Sequence, residues 1–330
     1  MGKLVNGDWK PIGYQTEKTG GAYVRDTSEF RNWVTPDGGA GPAGEGGFPA
    51  ESGRYHLYVS YACPWAHRAL IFRALKGLAT HIDVSVVHPD MLEEGWEFRT
   101  DFLGATGDRL FARRYLRDIY TRAKPDVSGR VTVPVLWDKT RGVIVSNESS
   151  EIIRMFNSAF DRLTGNTADY WPEPLRDEIE TVNARIYDTV NNGVYRAGFA
   201  TTQAAYDAAV EALFETLDWL EDRLSRTLYL MGARITEADL RLLPTLLRFD
   251  RVYHLHFKCN RRRIIDYPNL WAYTRELYQL PGLAETFNLD HVVRHYHCSH
   301  ASINPHRIIP TNPILDFDAP HGRGSLGKAA

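Results

Sequence analysis

Residues 57–68 read Leu57-Tyr58-Val59-Ser60-Tyr61-Ala62-Cys63-Pro64-Trp65-Ala66-His67-Arg68. An alternating apolar run, typical of a strand, stops at Cys63, and a helical pattern begins at Pro64. Proline is favoured at the first position of a helix, so Cys63 is expected at the helix N-terminus. The amides and the macrodipole there favour a thiolate. The stretch therefore predicts a reactive cysteine, and the alternative is a buried core thiol.

The position three residues after Cys63 is Ala66, where a Cys-x-x-Cys motif would place its second thiol. A disulfide formed by Cys63 would then have no resolving cysteine next to it. We therefore expect an outside thiol to clear Cys63.

The composition excludes several function classes. The chain has 330 residues, 43% of them hydrophobic and 12% aromatic, which suits two globular domains. Its 39 basic and 41 acidic residues give a net charge of -2, so no general attraction to nucleic acid is expected. We find no apolar run long enough to span a membrane and no secretory signal core, and three cysteines do not form a paired framework. Small molecules or proteins are the expected partners, in a reducing cytoplasm.

The order of elements in the first half predicts a βαβ unit followed by a ββα unit. Residues 1–53 form an extension that ends in a mobile Gly/Pro-rich loop over 36–53, and residues 88–129 form a long insertion. The predicted strands are 55–60, 82–87, 131–138 and 142–145; the predicted helices are 64–77 and 110–123, with a third starting in 146–152. Pro134 interrupts a strand pattern, which indicates a special position such as a cis bond whose neighbouring backbone groups turn toward Cys63.

The second half predicts an all-helical domain. Apolar residues recur at helical spacing from about residue 175 to 289. Thr236 and Asp239 are placed like a capping box at the start of a helix over 240–249, a structural rather than catalytic signal. The tail 291–330 is rich in Pro, Gly and His, and is expected to be mostly irregular with a disordered end.

These features together resemble the glutathione transferases, and more closely the glutathionyl-hydroquinone reductases of the Xi class. The resemblance covers nearly the whole chain. It rests on the terminal extensions and on these segments: Cys63-Pro64-Trp65-Ala66-His67-Arg68, the 90–96 insertion, Val133-Pro134-Val135-Leu136-Trp137-Asp138, Ser146-Asn147-Glu148-Ser149 and Asn191-Asn192-Gly193-Val194-Tyr195. Cys-Pro-x-Ala alone is shared with Omega-type transferases.

The resemblance implies an α/β plus all-α fold, with a thioredoxin-like βαβββα domain and an all-helical transferase domain. The implied divisions are an extension at 1–53, a glutathione-binding domain at 54–165, a substrate domain at 170–290 and a C-terminal extension at 291–330. A homodimer is also implied. Glutathione is a co-substrate, and no tightly bound cofactor is expected.

The implied reaction reduces glutathionyl-hydroquinones with glutathione. Cys63 attacks the thioether sulfur, forms a mixed disulfide with glutathione and is released by a second glutathione. Glu148 pairs with the glutathione amine, Ser149 and its amide bind the γ-glutamyl carboxylate, and Arg130 takes a carboxylate.

The same resemblance assigns four further residues. Val133 pairs its backbone with the cysteinyl part of glutathione, and Trp96 covers the tripeptide. Tyr195 is the proton donor, assisted by Tyr253 and Tyr296 in an aromatic pocket. With 17 tyrosines in the chain, packing is the alternative role for each.

Two charged clusters suggest other sites and are rejected. His291, His295, His297, Cys298 and His300 are badly spaced for zinc, so no metal is expected. Arg261-Arg262-Arg263 is too short and isolated for a nucleic-acid patch.

Two competing functions stay open. An Omega-like thiol transferase or dehydroascorbate reductase would share Cys63 but would not need the tyrosines. A non-catalytic ligand-binding protein of transferase fold would need no reactive thiol.

Overall fold

The computed structural model describes residues 2–311 and 314–324. The chain divides into two compact units. The first comprises residues 1–13, 26–168 and 285–307, and the second comprises 14–25, 169–284 and 308–330. The disorder expected at the end of the chain concerns residues 325–330, which lie outside the described part.

The described part of the first unit contains seven strands: β1 (Lys3–Val5), β2 (Asp8–Lys10), β3 (Tyr55–Val59), β4 (Asp83–Val86), β5 (Gly129–Arg130), β6 (Val135–Asp138) and β7 (Val143–Ser146). They form a three-stranded sheet in the order β2-β1-β5 and a four-stranded sheet in the order β4-β3-β6-β7. In the larger sheet β3 and β4 are parallel, whereas β6 is antiparallel to both β3 and β7. The predicted βαβ and ββα order is confirmed.

The helices of the first unit are α1 (Pro64–Leu75), α2 (Leu116–Ala123), α3 (Ser149–Ser158), α4 (Asp161–Thr164) and a later helix, α10 (Leu289–Ser299). Leu57 and Leu136 are paired neighbours in the larger sheet, and both are buried, as are Phe72 of α1 and Ile152 of α3, two helices that pack against each other. This core fixes the two helices whose N-termini follow β3 and β7.

The second unit is helical, as predicted. It contains α5 (Arg176–Ile186), α6 (Gly193–Gly198), α7 (Gln203–Leu224), α8 (Glu237–Arg248) and α9 (Pro268–Tyr278), with π-helical turns at Tyr187–Asn191 and Phe249–Tyr253. The capping box is confirmed, because Asp239 accepts hydrogen bonds from the Thr236 amide and hydroxyl. Among the described residues, no helix is both long and apolar enough to cross a bilayer.

Two predicted boundaries are wrong. The helix expected from residue 110 begins at Leu116, because Asp108 accepts from the amides of Leu110 and Arg113 and Ala112 has a left-handed φ of 52°. The strand expected from residue 131 begins at Val135, after a cis Val133–Pro134 bond. Gly129 and Arg130, where the predicted insertion ends, pair with β1.

The tail is also less irregular than expected. Residues 289–299 form α10, whose N-cap Asn288 accepts from the His291 amide at 3.0 Å. Val292 and Tyr296 occupy the buried side of this helix. The Asn288 cap and the apolar spacing were the sequence signals for it, and they were outweighed by the His-rich composition.

Candidate active site

The sheet topology brings three predicted site segments to one edge of the first unit. Tyr58 near the end of β3 pairs with Val135 at the start of β6. Leu136 pairs with Ser146 at the end of β7. Because these neighbours are antiparallel, the end of β3, the start of β6 and the end of β7 lie together. Cys63, Val133 and Glu148 each lie just beyond one of these strand ends.

Cys63 is the N-cap of α1, and Pro64 is its first helical residue. The side chain is partly exposed, and its thiol donates to the Val133 carbonyl at 3.5 Å. Its carbonyl accepts from the His67 amide at 3.0 Å, which is the first hydrogen bond of the helix. Ala66 is fully buried. This arrangement fits a nucleophile better than a core thiol.

The other two cysteines have a different environment. Cys259 and Cys298 are both buried, and burial raises the pKa of each thiol. A buried, protonated thiol is a poor nucleophile. Cys63 is therefore the cysteine suited to react.

Glu148 is the N-cap of α3, and its carboxylate accepts from the Ser150 amide at 3.0 Å and hydroxyl at 2.9 Å. Ser28 donates to its other oxygen at 3.0 Å. Burial alone would raise the pKa of Glu148, but these donors and the charge of Arg68 lower it overall. Glu148 is thus an anion at neutral pH, held beside the buried Ser149 at a helix N-terminus.

Ser28 and Arg68 were not predicted as site residues. Arg68 is on α1, buried, with its guanidinium 4.6 Å from the ring centre of Trp65. Its helical position was visible in the sequence, whereas nothing local to Ser28 indicated a partner 120 residues away.

Arg130 lies in the first unit with most of its donors engaged. Its guanidinium donates to the carbonyls of Ile12, Gly13 and Gly2, and its Nε is 3.3 Å from Asp26. A glutathione carboxylate would have to displace some of these acceptors. Arg130 is therefore a weaker candidate ligand than Glu148 or Ser149.

Trp96 and Tyr296 both pack against His295, a residue weighed from the sequence only as a metal ligand. The Trp96 ring stacks on His295 with centroids 4.8 Å apart, and Tyr296 packs edge-on against the same imidazole at 5.2 Å. His295 also hydrogen-bonds the Pro89 carbonyl at 2.8 Å. The imidazole therefore holds both predicted residues in one buried cluster of the first unit.

His291, like His295, has a packing role in α10. His291 hydrogen-bonds the Leu103 carbonyl at 2.8 Å and packs edge-on against Tyr61 and Phe102. In the part of the chain that the structure describes, no three His, Cys, Asp or Glu side chains gather to hold a metal ion.

Tyr195 and Tyr253 lie in the second unit and contact each other. Tyr195 is on α6 and Tyr253 ends the second π-helical turn, with ring centroids 6.0 Å apart. Phe257 packs against both rings, at 5.3 and 5.5 Å. Tyr195 keeps about 9% of its surface exposed, whereas Tyr253 is fully buried. Tyr195 is consequently the better placed of the two to meet a ligand.

Comparison with known proteins gives concordant matches. Residues 62–159 match the family model "Glutathione S-transferase, N-terminal domain", and residues 203–276 match "Glutathione S-transferase, C-terminal domain". The chain is 58% identical to the glutathionyl-hydroquinone reductase YqjG of Escherichia coli (strain K12) over 98% of each protein.

Solved structures agree. The glutathione-bound structure of YqjG from Escherichia coli K-12 has a TM-score of 0.91 at 55% identity, covering 98% of this chain and 99% of that one. A Xi-class transferase from Natrialba magadii has a TM-score of 0.90 at 49% identity, covering 99% and 97%. The chain therefore belongs to the Xi-class glutathione transferases, the family of the glutathionyl-hydroquinone reductases.

Proposed function

We propose that this protein reduces glutathionyl-hydroquinones to hydroquinones, with glutathione as the reductant. The carrying observation is Cys63, a partly exposed thiol at the N-terminus of α1 with Ala66 at the resolving position. The 58% sequence identity with a glutathionyl-hydroquinone reductase, over 98% of the chain, supports the same substrate class.

The reaction balances in two steps. The Cys63 thiolate attacks the sulfur of the aryl thioether, the carbon–sulfur bond breaks, and its electron pair goes to the ring carbon, which takes a proton. Cys63 is left in a mixed disulfide with glutathione. A second glutathione thiolate attacks this disulfide at the glutathione sulfur and frees Cys63. The sum is one hydroquinone and one oxidised glutathione from the thioether and glutathione.

Glutathione binding falls to the sheet edge beside Cys63. Glu148 carries the negative charge that pairs with the γ-glutamyl amine, and Ser149 with its amide takes the neighbouring carboxylate. The backbone of Val133, already in contact with Cys63, pairs with the cysteinyl part. Trp96 and Arg130 complete the proposed set, with Arg130 exchanging existing acceptors for a carboxylate.

Proton delivery falls to the tyrosines. Tyr195 gives the proton to the ring carbon, and Tyr253 and Tyr296 support the substrate oxygens or the donor. We further propose a homodimer that works in the cytoplasm, where the reaction's glutathione supply keeps Cys63 reduced. We also propose that the 36–53 loop moves.

The first test incubates the protein with a glutathionylated hydroquinone and glutathione. Chromatography should show hydroquinone and oxidised glutathione in equal amounts. Cys63→Ala should fall below about one hundredth of the wild-type rate, because the nucleophile is lost. Cys259→Ala, which removes a buried thiol, should keep the wild-type rate per folded molecule. Full activity of Cys63→Ala would overturn the proposal.

A second measurement separates this function from simple thiol transfer. Tyr195→Phe should slow hydroquinone release by about a hundredfold, the usual contribution of a general acid. Exchange with a small glutathione mixed disulfide breaks no carbon bond and should stay near the wild-type rate. Equal loss in both assays would instead assign Tyr195 a packing role.

A further inference from the structure

Arg25 lies against Tyr195 in the second unit. Its guanidinium carbon is 5.4 Å from the centre of the Tyr195 ring. Arg25 belongs to the segment 14–25, which is far from Tyr195 in sequence but is part of the same compact unit. A cation at this distance from an aromatic ring interacts favourably with it.

The position of Arg25 is fixed by the start of α6. Its Nε donates to the side-chain oxygen of Asn192 at 3.3 Å, and Asn192 is the buried N-cap residue of this helix. Tyr195 is three residues further along the same helix. Because Asn192 and Tyr195 are both at the start of α6, the hydrogen bond to Asn192 keeps the Arg25 guanidinium close to the Tyr195 ring.

The segment that carries Arg25 is itself anchored. Tyr23 packs against Tyr195 and Phe199, with centroids 6.5 and 5.5 Å apart. Tyr14 packs edge-on against Tyr23 at 4.7 Å. The Gly21 carbonyl accepts from the Thr201 amide at 3.0 Å. These contacts hold the segment that carries Arg25 in place beside Tyr195.

Arg25 keeps its charge in this environment. Burial alone would lower its pKa, but the phenol groups of Tyr23, Tyr14, Tyr195 and Tyr187 together raise it. The side chain is half-buried, so its charge is only partly screened by water.

We propose that Arg25 is a positioning residue that stabilises the negative charge on the Tyr195 oxygen as this phenol gives up its proton. The inference rests on the proposed role of Tyr195 in hydroquinone release. A phenol that must protonate a carbon is a better acid when a fixed cation lies beside it. Nothing in the reaction requires Arg25 to touch the substrate.

Other titratable groups lie near Arg25 and Tyr195. Among the described residues, those near this pair include Tyr14 and Tyr23 from the N-terminal segment, Tyr187 from the first π-helical turn and Tyr253 from the second. All four are phenols, and Arg196 on α6 is paired with Asp188 at 3.0 Å. Arg25 supplies a cation that stacks on the Tyr195 ring.

The kinetic test measures hydroquinone release in single turnovers. Arg25→Gln should slow release roughly tenfold, because the proton donor becomes weaker. The alkaline limb of its pH profile should move to higher pH, since the Tyr195 proton is then held more tightly. Arg25→Lys keeps the charge without the planar guanidinium, so its rate of hydroquinone release should lie between those of the wild type and Arg25→Gln. Exchange with a glutathione mixed disulfide should be unchanged in both variants.

Matched variants separate the charge effect from misfolding. Arg196→Gln removes the neighbouring surface arginine and should leave release and its pH profile unchanged. In a Tyr195→Phe background, Arg25→Gln should have no further effect on release, because the phenol it supports is gone. Thermal unfolding of each variant checks that the fold is kept.

A titration without substrate tests the inference independently of the activity. The ultraviolet absorption of tyrosinate, taken as the difference between each protein and its Tyr195→Phe partner, reports Tyr195 alone. Arg25→Gln should shift this titration to higher pH. An unchanged titration together with unchanged release would overturn the inference. Failure of the wild type to release hydroquinone would overturn the proposed function, while the titration would still test Arg25.

Discussion

Glu148 is an acid whose charge is set by its neighbours. The Ser28 hydroxyl donates to one carboxylate oxygen at 3.0 Å, and the amide and hydroxyl of Ser150 donate to the other. These bonds lower the pKa of Glu148. The proposed pairing with the glutathione amine needs the ionised form, so binding should persist below the pH at which an ordinary glutamate is neutralised.

Ser28→Ala should weaken glutathione binding, because one of these donors is lost. With less stabilisation of the anion, protonation of Glu148 begins at a higher pH, and affinity should be lost earlier as the pH falls. Titration calorimetry should show a dissociation constant roughly three- to fivefold above wild type at mildly acidic pH. Ser52→Ala, which removes an exposed serine bonded to His81, is the matched control. A wild-type pH dependence in Ser28→Ala would contradict the role given to Ser28.

Three of the site residues proposed from the sequence share one property. Cys63, Val133 and Glu148 each follow or precede a strand, and a strand pattern with a βαβ-ββα order implies which strand ends meet. Ser28, Arg25 and His295 come from segments distant in the chain with no local motif. Their partners are set by tertiary packing, which hydrophobic periodicity does not encode.

A buried carboxylate, that of Asp239, lies at the N-terminus of α8. Asp239 is fully buried and accepts from four donors: the amide and hydroxyl of Thr236, the amide of Leu230 and the hydroxyl of Tyr273. Burial raises the pKa of Asp239, and these donors only partly offset it. The carboxyl therefore joins α8 to α9 as well as capping its own helix.

Asp239→Asn should lower the free energy of unfolding by about 2–4 kcal/mol, because the amide places N–H groups where only acceptors fit. Since the folded-state pKa is raised, the contribution of wild-type Asp239 is greatest at low pH and declines as the pH rises through the folded-state value. The difference in the free energy of unfolding between the wild type and Asp239→Asn should thus increase as the pH falls. Denaturant unfolding at several pH values measures it. Asp207→Asn, on exposed α7 surface, should stay within about 0.5 kcal/mol of wild type.

Most helices were predictable from the sequence, whereas the start of α2 and the existence of α10 were not. Apolar spacing identified α1 and most of the second unit, since tertiary packing agrees there with local pattern. At residues 110–115 the apolar spacing favoured a helix, but the amides of Leu110 and Arg113 donate to the Asp108 carboxylate instead of forming helical hydrogen bonds. In α10 buried histidines replace the usual apolar residues, which hid the pattern.

At the scale of the whole molecule, the chain does not pass through its units in simple order. The first unit takes residues 285–307 from beyond the second, and the second takes 14–25 from the N-terminal extension and the C-terminal segment from 308 onward. The resemblance could not give this distribution, because composition marked both ends only as extensions. It follows that each unit depends on segments that look dispensable in the sequence.

The C-terminal segment is attached to the second unit chiefly by Arg323. Its guanidinium is buried, pairs with Glu276 at 2.8 Å and donates to four carbonyls, those of Leu224, Thr227, Leu228 and Asn269. Phe317 adds ring contacts with Trp271 and Tyr278, at 5.4 and 5.1 Å. The helix ends of α7 and α9 are thereby tied together.

Ending the chain after Arg307 should destabilise the protein although the described residues beyond it contain neither an α-helix nor a strand. Glu276 would lose its cation while keeping the hydrogen bond from the Tyr229 hydroxyl, and the helix-end carbonyls would lose a donor. We expect the free energy of unfolding to fall by about 3–5 kcal/mol, the usual cost of breaking a buried ion pair. Ending the chain after Gly324 keeps Arg323 and should leave stability unchanged. Arg323→Ala in the full chain should reproduce most of the loss; equal unfolding midpoints for all four proteins would show that Arg323 does not anchor this segment.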